Sequence, residues 1–144
     1  MVVQDVLDRK GKHVVTISPD DTVLMAAHRM NENRIGALVV CEPTRGCVGI
    51  FTERDVLRRV LAEGRSPDTT RVAHVMTTPV TCCKPDTSLE ECREVMTNKR
   101  LRHLPVVDGT MLVGIISIGD LLAMEVETQQ STIEYLHTYM NSWM

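Results

Sequence analysis

A pattern that returns about 66 residues later constrains this chain more than any other feature. Val14, Pro19, Asp20, Met30, Arg34, Leu38 and Val40 recur as Val80, Pro85, Asp86, Met96, Arg100, Leu104 and Val106, all at an offset of 66. After a one-residue shortening, Gly49, Ile50 and Asp55 recur as Gly114, Ile115 and Asp120, at an offset of 65. Upstream, Val3-Gln4-Asp5-Val6-Leu7 resembles Val72-Ala73-His74-Val75-Met76, at an offset of 69. A register held through five elements marks two copies of one unit. A unit of about 55 residues leaves much apolar surface exposed on its own, so the two copies are expected to pack together.

Each copy reads as strand, helix, strand, strand, helix. Val14-Val15-Thr16-Ile17 is β-branched and stops before Pro19, and Val23, Ala26, Ala27 and Met30 then share one helical face. Leu89, Cys92 and Met96 repeat that face, behind a capping box formed by Ser88 and Glu91. The apolar runs Ala37–Cys41 and Cys47–Phe51, and Leu104–Val107 and Met111–Ile116, predict strands around tight turns. A closing helix is expected over Glu53–Glu63 in one copy and from Ile118 to about Thr128 in the other. The expected organisation is repeat one over 1–63, a linker over 64–71, repeat two over 72–128 and an amphipathic helix over 129–144. The fold class is α+β, bordering on α/β, with two β-α-β-β-α units packed sheet to sheet about a pseudo-twofold axis.

Most of the repeat is apolar and belongs to the core. The polar part is Gly49-Ile50-Phe51-Thr52-Glu53-Arg54-Asp55 against Gly114-Ile115-Ile116-Ser117-Ile118-Gly119-Asp120. Each sets a hydroxyl where a strand becomes a helix, with a carboxylate three residues on. One reading is purely local: Thr52 or Ser117 caps the helix and Asp55 or Asp120 reciprocates. The other is chemical. Free N–H groups and a hydroxyl at a helix start suit a phosphate, and a carboxylate accepts the paired hydroxyls of a ribose. Both readings stand on these residues.

The Val-x-Thr-Ile-x-Pro-Asp start, the Arg-Ile-Gly-Ala-Leu-Val-Val and Arg-Leu-Arg-His-Leu-Pro-Val-Val-Asp strands, and the two G-x-x-[ST]-x-x-D ends resemble the CBS domain family. The resemblance covers roughly residues 3–63 and 72–125, and is to a short stand-alone bacterial tandem pair, a Bateman module. It implies a non-catalytic regulatory module that binds an adenosyl ligand (AMP, ADP, ATP, NAD or S-adenosylmethionine) between the repeats and signals by changing shape. It further implies that Asp55 and Asp120 hold ribose hydroxyls, and that Thr52 and Ser117 meet phosphate or ribose. Thr16, Ile17, Cys82 and Cys83 would line the adenine pocket, flanked by Arg34, Gly36, Ala37 and Arg54 on one side and Arg102, His103 and Pro105 on the other. Arg100, Arg102 and His103 suit a phosphate. The copies differ at Gly36 against Arg102, Arg54 against Gly119 and Thr16 against Cys82, so unequal clefts are expected.

Composition narrows the alternatives. The chain has 144 residues with 16 Lys and Arg against 19 Asp and Glu, a net charge of −3, which does not favour a polyanionic nucleic acid. Aromatics are 3% of the chain, too few for a base-stacking platform. Residues 1–102 hold all 16 cations and 14 acids, a net +2, while the last 42 hold five acids and no cation. That asymmetry suits a basic ligand site in the body and an acidic tail.

No apolar run reaches the roughly 20 residues that span a bilayer, and the start lacks signal-peptide character. Five cysteines without a C-x-x-C spacing suggest a reducing, cytoplasmic setting. No cofactor or metal is called for: the adenine nucleotide would be a regulatory ligand. Nucleotide-binding-loop, zinc-protease and serine-hydrolase signatures are absent. A thiol or metal enzyme using Cys82 or Cys83 is a lesser alternative, and a purely structural interaction module is another. Ile133, Leu136, Met140 and Trp143 form an a/d-like stripe with Tyr139 beside it, which suggests a homodimer through the tail.

Overall fold

The computed structural model describes residues 1–142, with side chains as far as Met140. In chain order, α1 (Val3–Lys10) leads to β1 (Thr16–Ile17), α2 (Val23–Asn33), β2 (Ala37–Glu42) and β3 (Gly46–Thr52). A helical segment follows as one α-turn, α3 (Glu53–Asp55), then a π-helix over Val56–Leu61, rather than the uninterrupted α-helix expected. A 3₁₀ turn over Val72–His74 opens the second half, followed by α4 (Leu89–Lys99), β4 (His103–Asp108), β5 (Met111–Ser117) and α5 (Ile118–Ser142). Closing helix and tail are thus one continuous element of 25 residues.

The two sheets obey the repeat closely. β1 pairs parallel with β2 (Ile17 opposite Val40), and β2 pairs antiparallel with β3 (Leu38 opposite Phe51). β4 and β5 pair antiparallel, Leu104 opposite Ile116, with a bulge after Val106 that matches the one after Val40. The second unit departs from the expected β-α-β-β-α order at its first strand, which shrinks to a single parallel bridge between Cys83 and Val106. Proline explains the loss. In the first unit the Val39 N–H donates to the Val15 carbonyl at 3.3 Å. Pro105 stands at the equivalent position and has no N–H to give.

The halves complete each other. Val3, Val6 and Leu7 of α1 lie in one core with Cys83, Met96, Leu104 and Ile116 of the second repeat. Val72 and Val75 lie in the other core with Ile17, Met30, Leu38 and Phe51 of the first repeat. The backbone bonds of the exchange correspond pair by pair. Val3 and Gln4 donate to the Thr87 and Pro85 carbonyls at 2.9 and 2.8 Å, as Val72 and Ala73 donate to Asp21 and Pro19 at 2.9 Å each. So the segment that precedes each repeat in sequence packs on the other one in space. A split into independent units would strip both cores of buried aliphatic surface, at roughly 25 cal/mol per Å².

Candidate functional site

The ends of β3 and β4 are brought together by this pseudo-symmetric packing, and a cleft of about 620 Å³ lies between them. One wall is the start of α3 and its π-helical continuation. There Thr52 caps the helix: the Asp55 N–H donates to Thr52 Oγ1 at 3.3 Å, and the Thr52 N–H donates to Asp55 Oδ2 at 3.0 Å. Asp55 is 6% exposed, one of the two buried polar residues of the described chain. Its carboxylate also accepts the Thr77 hydroxyl at 3.1 Å and lies 3.5 Å from Arg59 Nε. Thr77 arrives on the exchanged segment, so both halves position this acid.

The opposite wall is the end of α4 and the start of β4. Arg100 ends α4 in the left-handed region (φ 54°), as Arg34 ends α2 (φ 54°). Gly or Asn takes that conformation more easily, so an arginine there carries its side chain at a cost of about 1 kcal/mol. The cleft is lined by six cations, Arg54, Arg58, Arg59, Lys99, Arg100 and Arg102, against the acids Glu53 and Asp55. Arg54 crosses between the repeats to the Arg100 carbonyl at 3.3 Å, and Arg59 donates to the Met76 carbonyl at 2.9 Å. His103 also lines the cleft. Burial holds its imidazole below the usual histidine range, helped by Lys10 and Arg102 and opposed by Asp120 and Glu53.

Of the residues singled out from the sequence, Gly36, Thr52, Arg54, Asp55, Arg102 and His103 are gathered in this one cleft. Ile17, Ala37 and Pro105 are buried in the sheets, and Thr16 is exposed, its carbonyl accepting from Arg29 Nη1 at 2.8 Å. Arg34 lines a separate hollow beside Glu53. Cys82 and Cys83 line another groove, of about 510 Å³, against α4. Ser117 and Asp120 stand at the symmetry-related position and repeat the capping box, Ser117 N–H to Asp120 Oδ2 at 2.8 Å and Asp120 N–H to Ser117 Oγ at 3.2 Å. There Lys10 of α1 places Nζ 2.8 Å from Asp120 Oδ2 and 2.9 Å from the Ile115 carbonyl. Sequence reading missed Arg58, Arg59, Lys99 and Thr77. The first three belong to exposed helix faces that read as solvated charge, and Thr77 reaches Asp55 only through the exchange.

The cysteines form pairs. The Cys47 thiol across the repeats holds the Cys82 thiol down to about 7 against the opposing effect of burial, while the Cys47 thiol is pushed up. The Cys82 and Cys47 sulfurs donate to the Val80 and Gly49 carbonyls at 4.0 and 3.9 Å. Cys83 and Cys92 pair in the second core, with Cys83 raised and Cys92 lowered in the same way. All five are free thiols, and no group of three or more His, Cys, Asp or Glu able to hold a metal occurs among the described residues. Nor is any described helix long and apolar enough to cross a membrane.

Two units with exchanged lead segments, closed around a cleft between strand ends, define a tandem two-unit α+β fold. Residues 3–62 and 72–127 each match the CBS domain, and the chain belongs to that family. The CBS domain-containing protein YhcV of Bacillus subtilis (strain 168) is 35% identical over 90% of this chain and 91% of its own. A solved CBS-domain protein of Burkholderia ambifaria MC40-6 superposes with a TM-score of 0.84 at 41% identity, covering 90% of this chain and 96% of that one. The CBS domain pair of MJ0100, solved in complex with 5′-methylthioadenosine and S-adenosyl-L-methionine, shares the fold with a TM-score of 0.79 at 22% identity, over 89% and 98% of the two chains.

Proposed function

We propose that this chain is a non-catalytic regulatory module that binds an adenosyl nucleotide in the Asp55 cleft. The observation that carries the reading is the cleft itself: a hydroxyl and a buried carboxylate from repeat one face Arg100, Arg102 and His103 from repeat two across about 620 Å³. A ligand there touches both repeats. Asp55 would accept the ribose hydroxyls, Thr52 would meet ribose or phosphate, Arg54, Arg102 and His103 would take phosphate, and Gly36 would leave room at the strand edge. Such a ligand favours whichever tilt of the repeats brings the two walls to their bonding distance, and only that difference in affinity transmits a signal. The adenosyl compounds in the MJ0100 complex support an adenosyl ligand.

The outcome for the chain as a whole is a nucleotide-responsive homodimer in a reducing, cytoplasmic compartment. Free thiols suit that compartment. An exposed stripe on α5, Ile133 at 59%, Leu136 at 50% and Met140 at 66% exposure, suits self-association, while Trp143 of the same stripe lies outside the described residues.

Calorimetric titration of ATP, ADP, AMP, NAD and S-adenosylmethionine tests the reading. At least one should bind, and Asp55→Ala, measured below its melting temperature, should weaken it ten- to a hundredfold, about the 1.5–3 kcal/mol of a charge-assisted acceptor. A second reading has its own support, because the Asp55 carboxylate already accepts from Thr52 and Thr77. Absence of binding by all five compounds would leave a nucleotide-independent interaction module with Asp55 as a cap.

A further inference from the structure

The two pseudo-symmetric positions share their capping boxes but not their charge. At the offsets of the repeat, Arg54, Arg58 and Arg59 correspond to Gly119, Ala123 and Met124, and Lys99 and Arg102 correspond to Asn33 and Gly36. Only Arg100 meets a cation, Arg34. Four of the six positive groups around the Asp55 cleft, Arg54, Arg58, Arg59 and Lys99, therefore have a neutral equivalent on the other side. Arg102, whose equivalent Gly36 lines the same cleft, takes the Ile118 N–H on its carbonyl at 2.9 Å and so flanks both helix starts. The nearest cation at the other side, Lys10, is already spent on Asp120 Oδ2 at 2.8 Å, the same oxygen that takes the Ser117 N–H.

Six cations around one cleft repel each other, and their repulsion is only partly relieved by Glu53 and Asp55. One phosphate engages one or two such groups, because bidentate pairing fixes a single guanidinium per oxygen pair. Arg58 and Lys99 stand on different elements, the π-helix and α4, and each is exposed. Charge spread over that span matches an extended chain of phosphates rather than a single one.

Resting on the nucleotide reading above, we propose that the two sites differ in ligand class: the Asp55 cleft takes a ligand with two or more linked phosphates, selected by Arg58, Arg59 and Lys99, while the Asp120 position, held by Lys10, takes none. Arg58, Arg59 and Lys99 are then specificity residues outside the repeated motif. The stoichiometry follows as one polyphosphate per chain.

The test titrates the full chain with ATP, AMP, adenosine and inorganic tripolyphosphate, at low and moderate salt. One equivalent of ATP should bind at least about tenfold tighter than AMP, and the preference should shrink as salt rises. Tripolyphosphate should compete with ATP. The double variant Arg58→Gln, Lys99→Gln should weaken ATP much more than AMP and so bring the two affinities close together. ATP, AMP and adenosine binding alike would overturn the inference and leave the nucleotide reading intact. Tripolyphosphate binding as tightly as ATP, with adenosine unbound, would uphold the polyphosphate class and overturn the adenosyl reading. Two equivalents of ATP, or a double variant that keeps the full preference, would also overturn the inference. No binding by any of the four would overturn the inference, and the nucleotide reading falls with it when ADP, NAD and S-adenosylmethionine also fail to bind.

Discussion

Leu7 lies directly over Gly114: a Cβ built on that glycine would stand 2.7 Å from Leu7 Cδ2. The repeat provides the same relationship at Gly49, where a Cβ would meet Met76 Sδ at 2.7 Å and the Thr77 carbonyl oxygen at 3.0 Å. Leu7 and Met76 are themselves equivalent positions of the two exchanged segments. The glycine that opens each G-x-x-[ST]-x-x-D is therefore a seat for the other half's lead segment.

Alanine at either glycine should destabilise the fold, by about 1–3 kcal/mol as overpacking does. Gly49→Ala should cost more, because it meets a backbone carbonyl as well as a flexible side chain. Urea denaturation of both variants checks the order. Equal stability to the parent protein would mean that the segments shift without strain.

Asp55→Ala should lower stability by about 1–3 kcal/mol, through loss of the cap and an orphaned Thr77 hydroxyl. Asp120→Ala should cost less, since its carboxylate is 22% exposed and its Lys10 partner can turn to solvent. Denaturant midpoints, with unchanged slopes, are the measurement.

His103 makes stability depend on pH with a definite sign. Its folded value lies below the ordinary one, so as pH falls past about 6.5 the unfolded chain takes up the proton first. This contribution is complete above that pH and is lost as pH drops through the folded value. His103→Gln should flatten the decline between pH 7 and 5. The charged groups around it, Lys10, Arg102, Asp120 and Glu53, are unaltered in that comparison.

Cys82, with its thiol lowered to about 7, should react with iodoacetamide at neutral pH ahead of Cys47, whose thiol is raised. Cys47→Ala removes the neighbouring thiol responsible and should slow Cys82 alkylation roughly tenfold at pH 7, the smaller thiolate fraction being partly offset by a more nucleophilic thiolate. Peptide mass spectrometry over time resolves the two sites.

Truncation after Glu127 removes the exposed Ile133, Leu136 and Met140 stripe but keeps Leu121 and Met124 in the second core. The proposed dimer should fall to a monomer by light scattering, with the melting temperature of the globular part retained. An unchanged mass would place the dimer contact elsewhere.

Local pattern determined much of this protein. The 66-residue offset and the alternation of apolar runs located the strands, and helical spacing located α2 and α4, because side-chain period reflects backbone geometry. The capping boxes at Thr52 and Ser117 were equally legible, since they involve residues only three apart. Pairing between distant segments was not. That α1 completes the core of the second repeat, that Thr77 reaches Asp55, and that Lys10 reaches Asp120 across 110 positions are decided by packing alone. The same holds for the charge of the cleft: Arg58, Arg59 and Lys99 read along the chain as solvated helix faces, and only the docking of one repeat on the other turns the π-helix and the end of α4 toward one hollow.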